Sequence, residues 1–150
     1  MNRNEIRLGI IGMGLNNMAS TLALLGDVPD LRYRMTAICT QPAELVEQCL
    51  RKFAVPVGTT DHRELVERRD VDVVCVFSPD HLHAEHCIAA LEQGKQVVCT
   101  KPMVTKLEDA RRLSALVAER KVKFLVGQTM RFDRQFLAAK ELLDDGDLAT

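Results

Sequence analysis

The sequence lacks an excess of charge of either sign. Its 150 residues carry 20 Lys+Arg against 21 Asp+Glu, a formal net charge of −1. That balance gives no electrostatic footprint for nucleic acid or for an anionic membrane surface. Long apolar runs are also missing: none approaches the ~20 residues of a membrane span. The opening residues, Met1 to Arg7, lead directly into a strand-like run and contain no leader-type apolar segment. Aromatic residues are few, 4% of the chain, with no tryptophan. Cysteine is present five times, an odd number, at Cys39, Cys49, Cys75, Cys87 and Cys99. Each sits among apolar neighbours, so the set reads as reduced core thiols of a cytoplasmic protein rather than a disulfide framework.

What remains is the composition of a globular domain, 47% hydrophobic and 27% charged. Short β-rich runs alternate with amphipathic stretches. Strands are expected at Ile6–Ile11, Arg34–Thr40, Val55–Gly58, Val71–Phe77, Gln96–Cys99 and Val122–Val126. The run Val71 to Phe77 is apolar almost throughout, as in a strand buried on both faces. Helical spacing links Leu15, Met18, Ala19 and Leu22; then Val46, Cys49, Leu50 and Phe53. It recurs at Ala84, Cys87, Ile88 and Leu91, and at Leu107, Ala110, Leu113 and Leu116. Asp61 and Thr105 are expected N-caps, Asp80 a further one, and Gly94 a helix terminator. The alternation predicts an α/β fold, a doubly wound parallel sheet of about six strands with helices on both faces.

The first strand runs into Gly12-Met13-Gly14-Leu15-Asn16-Asn17, directly before a helical stretch. Gly12 permits a tight turn, and Gly14 lets a pyrophosphate approach backbone N–H groups at a helix N-terminus. Asn17 stands where a third glycine would serve close packing. The context is that of a Rossmann-like dinucleotide site, so Gly12, Met13, Gly14, Leu15 and Asn16 are expected to touch the cofactor. The tip of the second strand, Thr40-Gln41, carries no carboxylate. Such a tip does not repel a 2′-phosphate, so NADP is admitted beside NAD and is marginally favoured. No arginine directly follows the tip to clamp that phosphate, although Arg32 and Arg34 lie just before the strand.

Strand four leads to Phe77-Ser78-Pro79-Asp80-His81-Leu82-His83, and strand five to Cys99-Thr100-Lys101-Pro102. Both loops belong at the carboxyl edge of the sheet, where ligands bind. Taken with Ala90-Leu91-x-x-Gly94-Lys95-x-Val97 before Lys101-Pro102, and with Gly127-Gln128-Thr129-Met130-Arg131-Phe132, these motifs closely resemble the Gfo/Idh/MocA oxidoreductases. The similarity covers essentially the whole chain and matches that family's amino-terminal domain.

The resemblance implies a two-domain NAD(P)-dependent enzyme that moves a hydride between nicotinamide and a hydroxyl carbon of a sugar, polyol or related small molecule. Lys101 matches the family's motif lysine beside the reacting hydroxyl. Ser78, Pro79 and Asp80 match the loop along the nicotinamide ribose, with Phe77 before it and His83 three residues beyond. Thr100 stands where the family has glutamate, and Asp80 where it has asparagine. Residues 1–127 are expected to form the dinucleotide-binding domain. Residues 128–150 would be a crossing segment and the first helix toward a carboxyl-terminal substrate domain. That domain would also carry the association into homo-oligomers. The 150-residue piece is accordingly expected to bind cofactor without turning over substrate.

Plainer readings stand beside these. Lys101 by position alone is an ordinary surface lysine before a proline. His81, His83, His86 and Cys87 lack the carboxylate or distant cysteine pair that would complete a metal site, and His81 and His86 are expected to be solvated, with His83 facing the cofactor cleft. Arg131 either touches the nicotinamide side or anchors the crossing. Cys99 is a candidate reactive thiol or a small buried residue. A non-catalytic dinucleotide-binding sensor is the alternative to a dehydrogenase. A methyltransferase would leave Thr100-Lys101-Pro102 unexplained.

Overall fold

In the computed structural model of the chain, the described residues are 5–13 and 32–146. The helical stripe expected at Leu15 to Leu22 lies outside them. Among the described residues, six strands form one sheet: β1 (Glu5–Ile11), β2 (Arg32–Cys39), β3 (Val57–Thr59), β4 (Val73–Val76), β5 (Gln96–Thr100) and β6 (Phe124–Gly127). Their order is β3-β2-β1-β4-β5-β6, and every pair is parallel. This is the doubly wound arrangement, with strand order reversing between β1 and β4.

Side-chain alternation along the strands builds two cores. Ile11, Ala37, Cys39, Val74 and Val76 face one side, with Leu65, Cys87, Leu91 and Leu113 packed on them. These come from helices α2 (His62–Val66), α3 (His83–Glu92) and α4 (Leu107–Arg120). Ile10, Ile38 and Cys75 face the other side against Val46 and Cys49 of α1 (Ala43–Phe53). Period-two alternation thus feeds both faces from each strand, which is why the strands read as continuous apolar runs.

β1 and β2 slip by one residue at Thr36, between Leu8 opposite Met35 and Gly9 opposite Ala37. The Thr36 hydroxyl donates to the Asp70 carbonyl at 2.7 Å, giving the irregularity a polar anchor. Gly9 has no room for a side chain: a Cβ there would lie 2.8 Å from Leu65 and 2.9 Å from Val71. At the amino edge of the sheet, Arg7 forks onto Asp72 through Nε (2.8 Å) and a terminal nitrogen (2.5 Å). Lys95, from the Gly94-Lys95 motif, donates to the carbonyls of Arg68 (2.6 Å) and Val71 (2.9 Å). Its ammonium closes the turn that feeds β4, a structural task at the edge away from the candidate site.

Several local expectations need correction. Asp61 caps α2, accepting from the Arg63 amide at 2.9 Å, and Gly94 follows α3 with φ +70°. Thr105 is not a cap, because α4 starts one residue later and Lys106 occupies the capping position without a side-chain bond. Asp80 does not cap α3 either. It begins a short 3-10 turn, Asp80–Leu82, that precedes the helix. β4 is shorter than its apolar run, although the Asp72 and Phe77 amides at its two ends still donate to the Arg7 and Ile11 carbonyls of β1. After β6 comes a 3-10 turn, Thr129–Phe132, and then α5 (Arg134–Asp144), capped by Asp133 and with no buried residue.

Candidate functional site

At the reversal point, a cleft of about 510 Å3 opens between the ends of β1, β2 and β4. Its size is that of a small-molecule site. The structure brings together Gly12, Met13, Thr40, Gln41, Phe77, Ser78 and Pro79 along its wall. These seven come from three loops far apart in sequence. Gly14, Leu15 and Asn16 lie outside the described residues.

Gly12 is the hinge of the arrangement. Its φ is +90°, a conformation that disfavours any side chain, and its amide donates to the Cys39 carbonyl at 2.8 Å. A Cβ at this position would sit 2.4 Å from the Ser78 nitrogen and 2.6 Å from the Phe77 carbonyl carbon. The β1 and β4 loops therefore touch backbone to backbone, and only glycine fits. Next to it, the Met13 amide lies 3.3 Å from the Thr40 hydroxyl oxygen, which accepts from it. Thr40 is thus turned inward to hold the glycine turn. Gln41 donates to the Thr60 carbonyl at 3.4 Å and remains exposed at the mouth.

Among the described residues, none of the side chains lining the cleft is acidic. Arg32 and Arg34 do not supply a cation there. They lie at the start of β2, where Arg34 pairs with Glu5 at 3.4 Å. Six residues of strand separate Arg34 from Thr40, about 20 Å.

The histidines are arranged differently from the expectation. His86 is buried rather than solvated, with Nδ1 2.8 Å from the Ser78 hydroxyl. Burial, with His62 next to it, lowers its pKa to about 4. A neutral His86 ring accepts the Ser78 O–H at Nδ1. His62 stacks against it with ring centroids 4.5 Å apart, and its Nε2 is buried without a hydrogen-bond partner, 3.7 Å from Glu85. His62, Leu45, Thr60 and Leu82 line the cleft without having been singled out by sequence, and His86, expected in solvent, lines it too. For His86 the signal existed, since it shares the helical stripe of His83, Cys87 and Ala90. His83 does not face the cleft: it is fully buried and bound through both ring nitrogens to loop carbonyls. His81 is exposed, so the histidines and Cys87 do not converge. Among the described residues no three His, Cys, Asp or Glu side chains gather as metal ligands.

Asp80, Thr100, Lys101 and Arg131 stand outside the cleft wall. Thr100 ends β5, directly beside the β4 loop, and the Lys101 side chain that follows it is exposed. Arg131 is exposed in the turn after β6. Cys99 is wholly buried, hydrogen-bonded toward the Thr100 and Met103 carbonyls, which favours the packing reading.

A parallel sheet with this strand order and a glycine turn and cleft at its reversal point are those of a dinucleotide-binding domain of the Rossmann class. The chain belongs to the Gfo/Idh/MocA oxidoreductase family, whose NAD-binding Rossmann-fold model matches residues 6–128. Levoglucosan dehydrogenase of Pseudarthrobacter phenanthrenivorans is 29% identical over 148 residues, covering 95% of this chain and 38% of that protein. The NADP(+)-dependent scyllo-inositol 2-dehydrogenase of Bacillus subtilis is 33% identical over 145 residues, covering 97% and 39%. The crystal structure of Lactobacillus casei scyllo-inositol dehydrogenase with NAD(H) and scyllo-inositol superposes with a TM-score of 0.84. It is 26% identical and covers 97% of this chain and 42% of that one. The chain thus spans about two-fifths of the length of the relatives it matches.

Proposed function

We propose that this chain is the cofactor-binding part of a dehydrogenase that moves a hydride between NAD(P) and a hydroxyl carbon of a sugar, polyol or similar small molecule. The observation that carries the reading is the Gly12 contact: a backbone-only meeting of the β1 and β4 loops beside a cleft at the sheet's reversal point. Relatives named as levoglucosan and scyllo-inositol dehydrogenases support the substrate class.

The residues fit a dinucleotide. The Gly12 turn lets the β1 and β4 loops meet backbone to backbone, and the cleft beside that contact is large enough for part of such a ligand. When bound, the nicotinamide supplies the hydride acceptor or donor. The protein supplies placement and charge. Gly12, Met13, Gly14, Leu15 and Asn16 would hold the pyrophosphate, and Thr40 and Gln41 the adenosine ribose. Phe77, Ser78, Pro79 and Asp80 would run along the nicotinamide side, with Thr100 and Arg131 flanking. The Lys101 ammonium would donate to the substrate hydroxyl and stabilise its alkoxide character as hydride leaves. His83 contributes from behind the loops.

The neutral strand tip suits both cofactors, with NADP slightly favoured because nothing at Thr40-Gln41 repels a 2′-phosphate. Phe132, Phe136, Leu137 and Leu143 expose apolar surface on the turn after β6 and on α5. This favours residues 128–150 as the crossing to a substrate domain, through which copies would associate. No helix among the described residues is long and apolar enough to cross a membrane. The buried free thiols suit a cytoplasmic setting.

Calorimetric titration of the chain with NADH and NADPH tests the reading. Saturable one-site binding of either is expected, without turnover by the 150 residues alone. Absence of binding for both would overturn it. Binding with no polyol- or sugar-dependent reduction by the complete protein would point instead to a sensor.

A further inference from the structure

The Ser78-Pro79-Asp80 and Thr100-Lys101-Pro102 turns leave adjacent parallel strands, where Val76 of β4 is level with Cys99 of β5. Two prolines deprive them of backbone donors, and among the described residues no backbone hydrogen bond joins residues 77–82 to residues 100–104. Met103 and Val104 pack the lysine turn on the core, and His83 adds a polar tie between the two turns. The ring is wholly buried, with Nδ1 2.7 Å from the Pro102 carbonyl oxygen and Nε2 2.7 Å from the Ser78 carbonyl oxygen.

A neutral imidazole donates to one of these oxygens and an imidazolium to both. The ring fills the gap in either state, and it bonds both turns when both ring nitrogens carry hydrogen. Its own backbone is fixed as the first residue of α3, whose Cys87, Ala90 and Leu91 are locked in the core. The bridge therefore transmits a rigid position to the Pro102 carbonyl, one residue from Lys101.

We propose that His83 is a positioning residue for Lys101, a staple that sets the distance between the lysine turn and the loop along the nicotinamide. The inference rests on the dehydrogenase reading. It adds that rate, rather than cofactor affinity, depends on a side chain that touches neither cofactor nor substrate. A misplacement of about 1 Å is enough to lower a rate on the order of 100-fold.

The test compares His83→Phe, which keeps the ring volume and loses both bonds, with His83→Gln, which keeps an N–H donor. In the complete protein, His83→Phe is expected to lower kcat about 100-fold with the NAD(P)H dissociation constant unchanged, and His83→Gln to recover part of the loss. Wild-type kcat in His83→Phe overturns the proposal. So does a joint loss of kcat, cofactor affinity and thermal stability, which marks a merely structural residue. If the wild-type protein shows no dehydrogenase activity, that reading fails separately, and hydrogen exchange on the 150-residue chain then decides the staple. The amides of Thr100, Lys101, Met103 and Val104 should exchange faster in His83→Phe, and less so in His83→Gln, while those of β1 stay unchanged. Equal protection in all three proteins overturns it.

Discussion

The Ser78 hydroxyl and Nδ1 of His86 lie 2.8 Å apart in the wall of the cleft, so the loop after β4 is tied to a helix that faces the core. The Ser78 hydroxyl can donate to Nδ1 of a neutral imidazole, and burial, with His62 alongside, favours that form by lowering the pKa to about 4 from the ordinary 6.5.

Acid should therefore loosen the protein before its carboxylates titrate. The folded pKa of His86 is depressed, so the unfolded chain binds the extra proton first. Stability is complete above pH 6.5 and falls as pH drops toward 4, by about 2 kcal/mol at pH 4.5. Urea denaturation at pH 7 and 4.5 measures it, and a His86→Gln variant should lose most of the difference. An unchanged difference in that variant would assign the effect elsewhere.

Gly12→Ala should be severe. The added Cβ would press on the backbone of Phe77 and Ser78, which cannot rotate away, at a φ of +90°. A cost of at least about 2 kcal/mol is expected, with NAD(P)H binding lost in calorimetry. Retention of both stability and binding would show that the β1 and β4 loops are not held in contact.

Lys101→Met should separate chemistry from binding. Turnover by the complete protein is expected to fall by roughly 100- to 10,000-fold, the range for a lost proton-handling group, while NAD(P)H affinity stays level. Undiminished turnover in steady-state kinetics would remove Lys101 from the reaction.

The five thiols should be silent toward a disulfide reagent in the native state. All are buried; desolvation pushes Cys75 up to about 12, and with Asp61 and Glu64 nearby it pushes Cys39 up to about 11. Cys87 is likewise raised by its pairing with Cys99 and by burial, and Cys99, which that pairing lowers, is shielded from reagent by having no exposed surface. Labelling should wait on unfolding and then reach five equivalents in denaturant. Rapid native modification of Cys99 would revive its reading as a reactive thiol.

The fold was legible because its signals repeat. β4 is a run of Val73, Val74, Cys75 and Val76 that only a strand covered on both faces would tolerate, and Val46 with Cys49 marked the buried stripe of α1. The glycine turn was legible in type, since Gly12 follows a strand, though its steric reason needed the position of Ser78. The bonds of Thr36, Lys95, His83 and His86 were not. Each joins residues 5 to 34 positions apart, a distance at which single-sequence periodicity carries no information. The Thr105 and Asp80 caps failed because helix starts are set by neighbouring loop geometry as much as by the capping residue itself.

The order of the sheet has a bearing on how the protein survives while it is being made. The cleft exists only after β1 has paired with both β2 and β4, contacts that span some 25 to 65 residues of chain and are slow to form. A partly folded chain therefore has nothing with which to catch a dinucleotide. Ligand present at about 100 times its dissociation constant would deepen the finished state alone by roughly 2.7 kcal/mol. Cellular nucleotide supply would then act as a proofreader of assembly, protecting completed molecules from proteases and leaving stalled ones to be cleared.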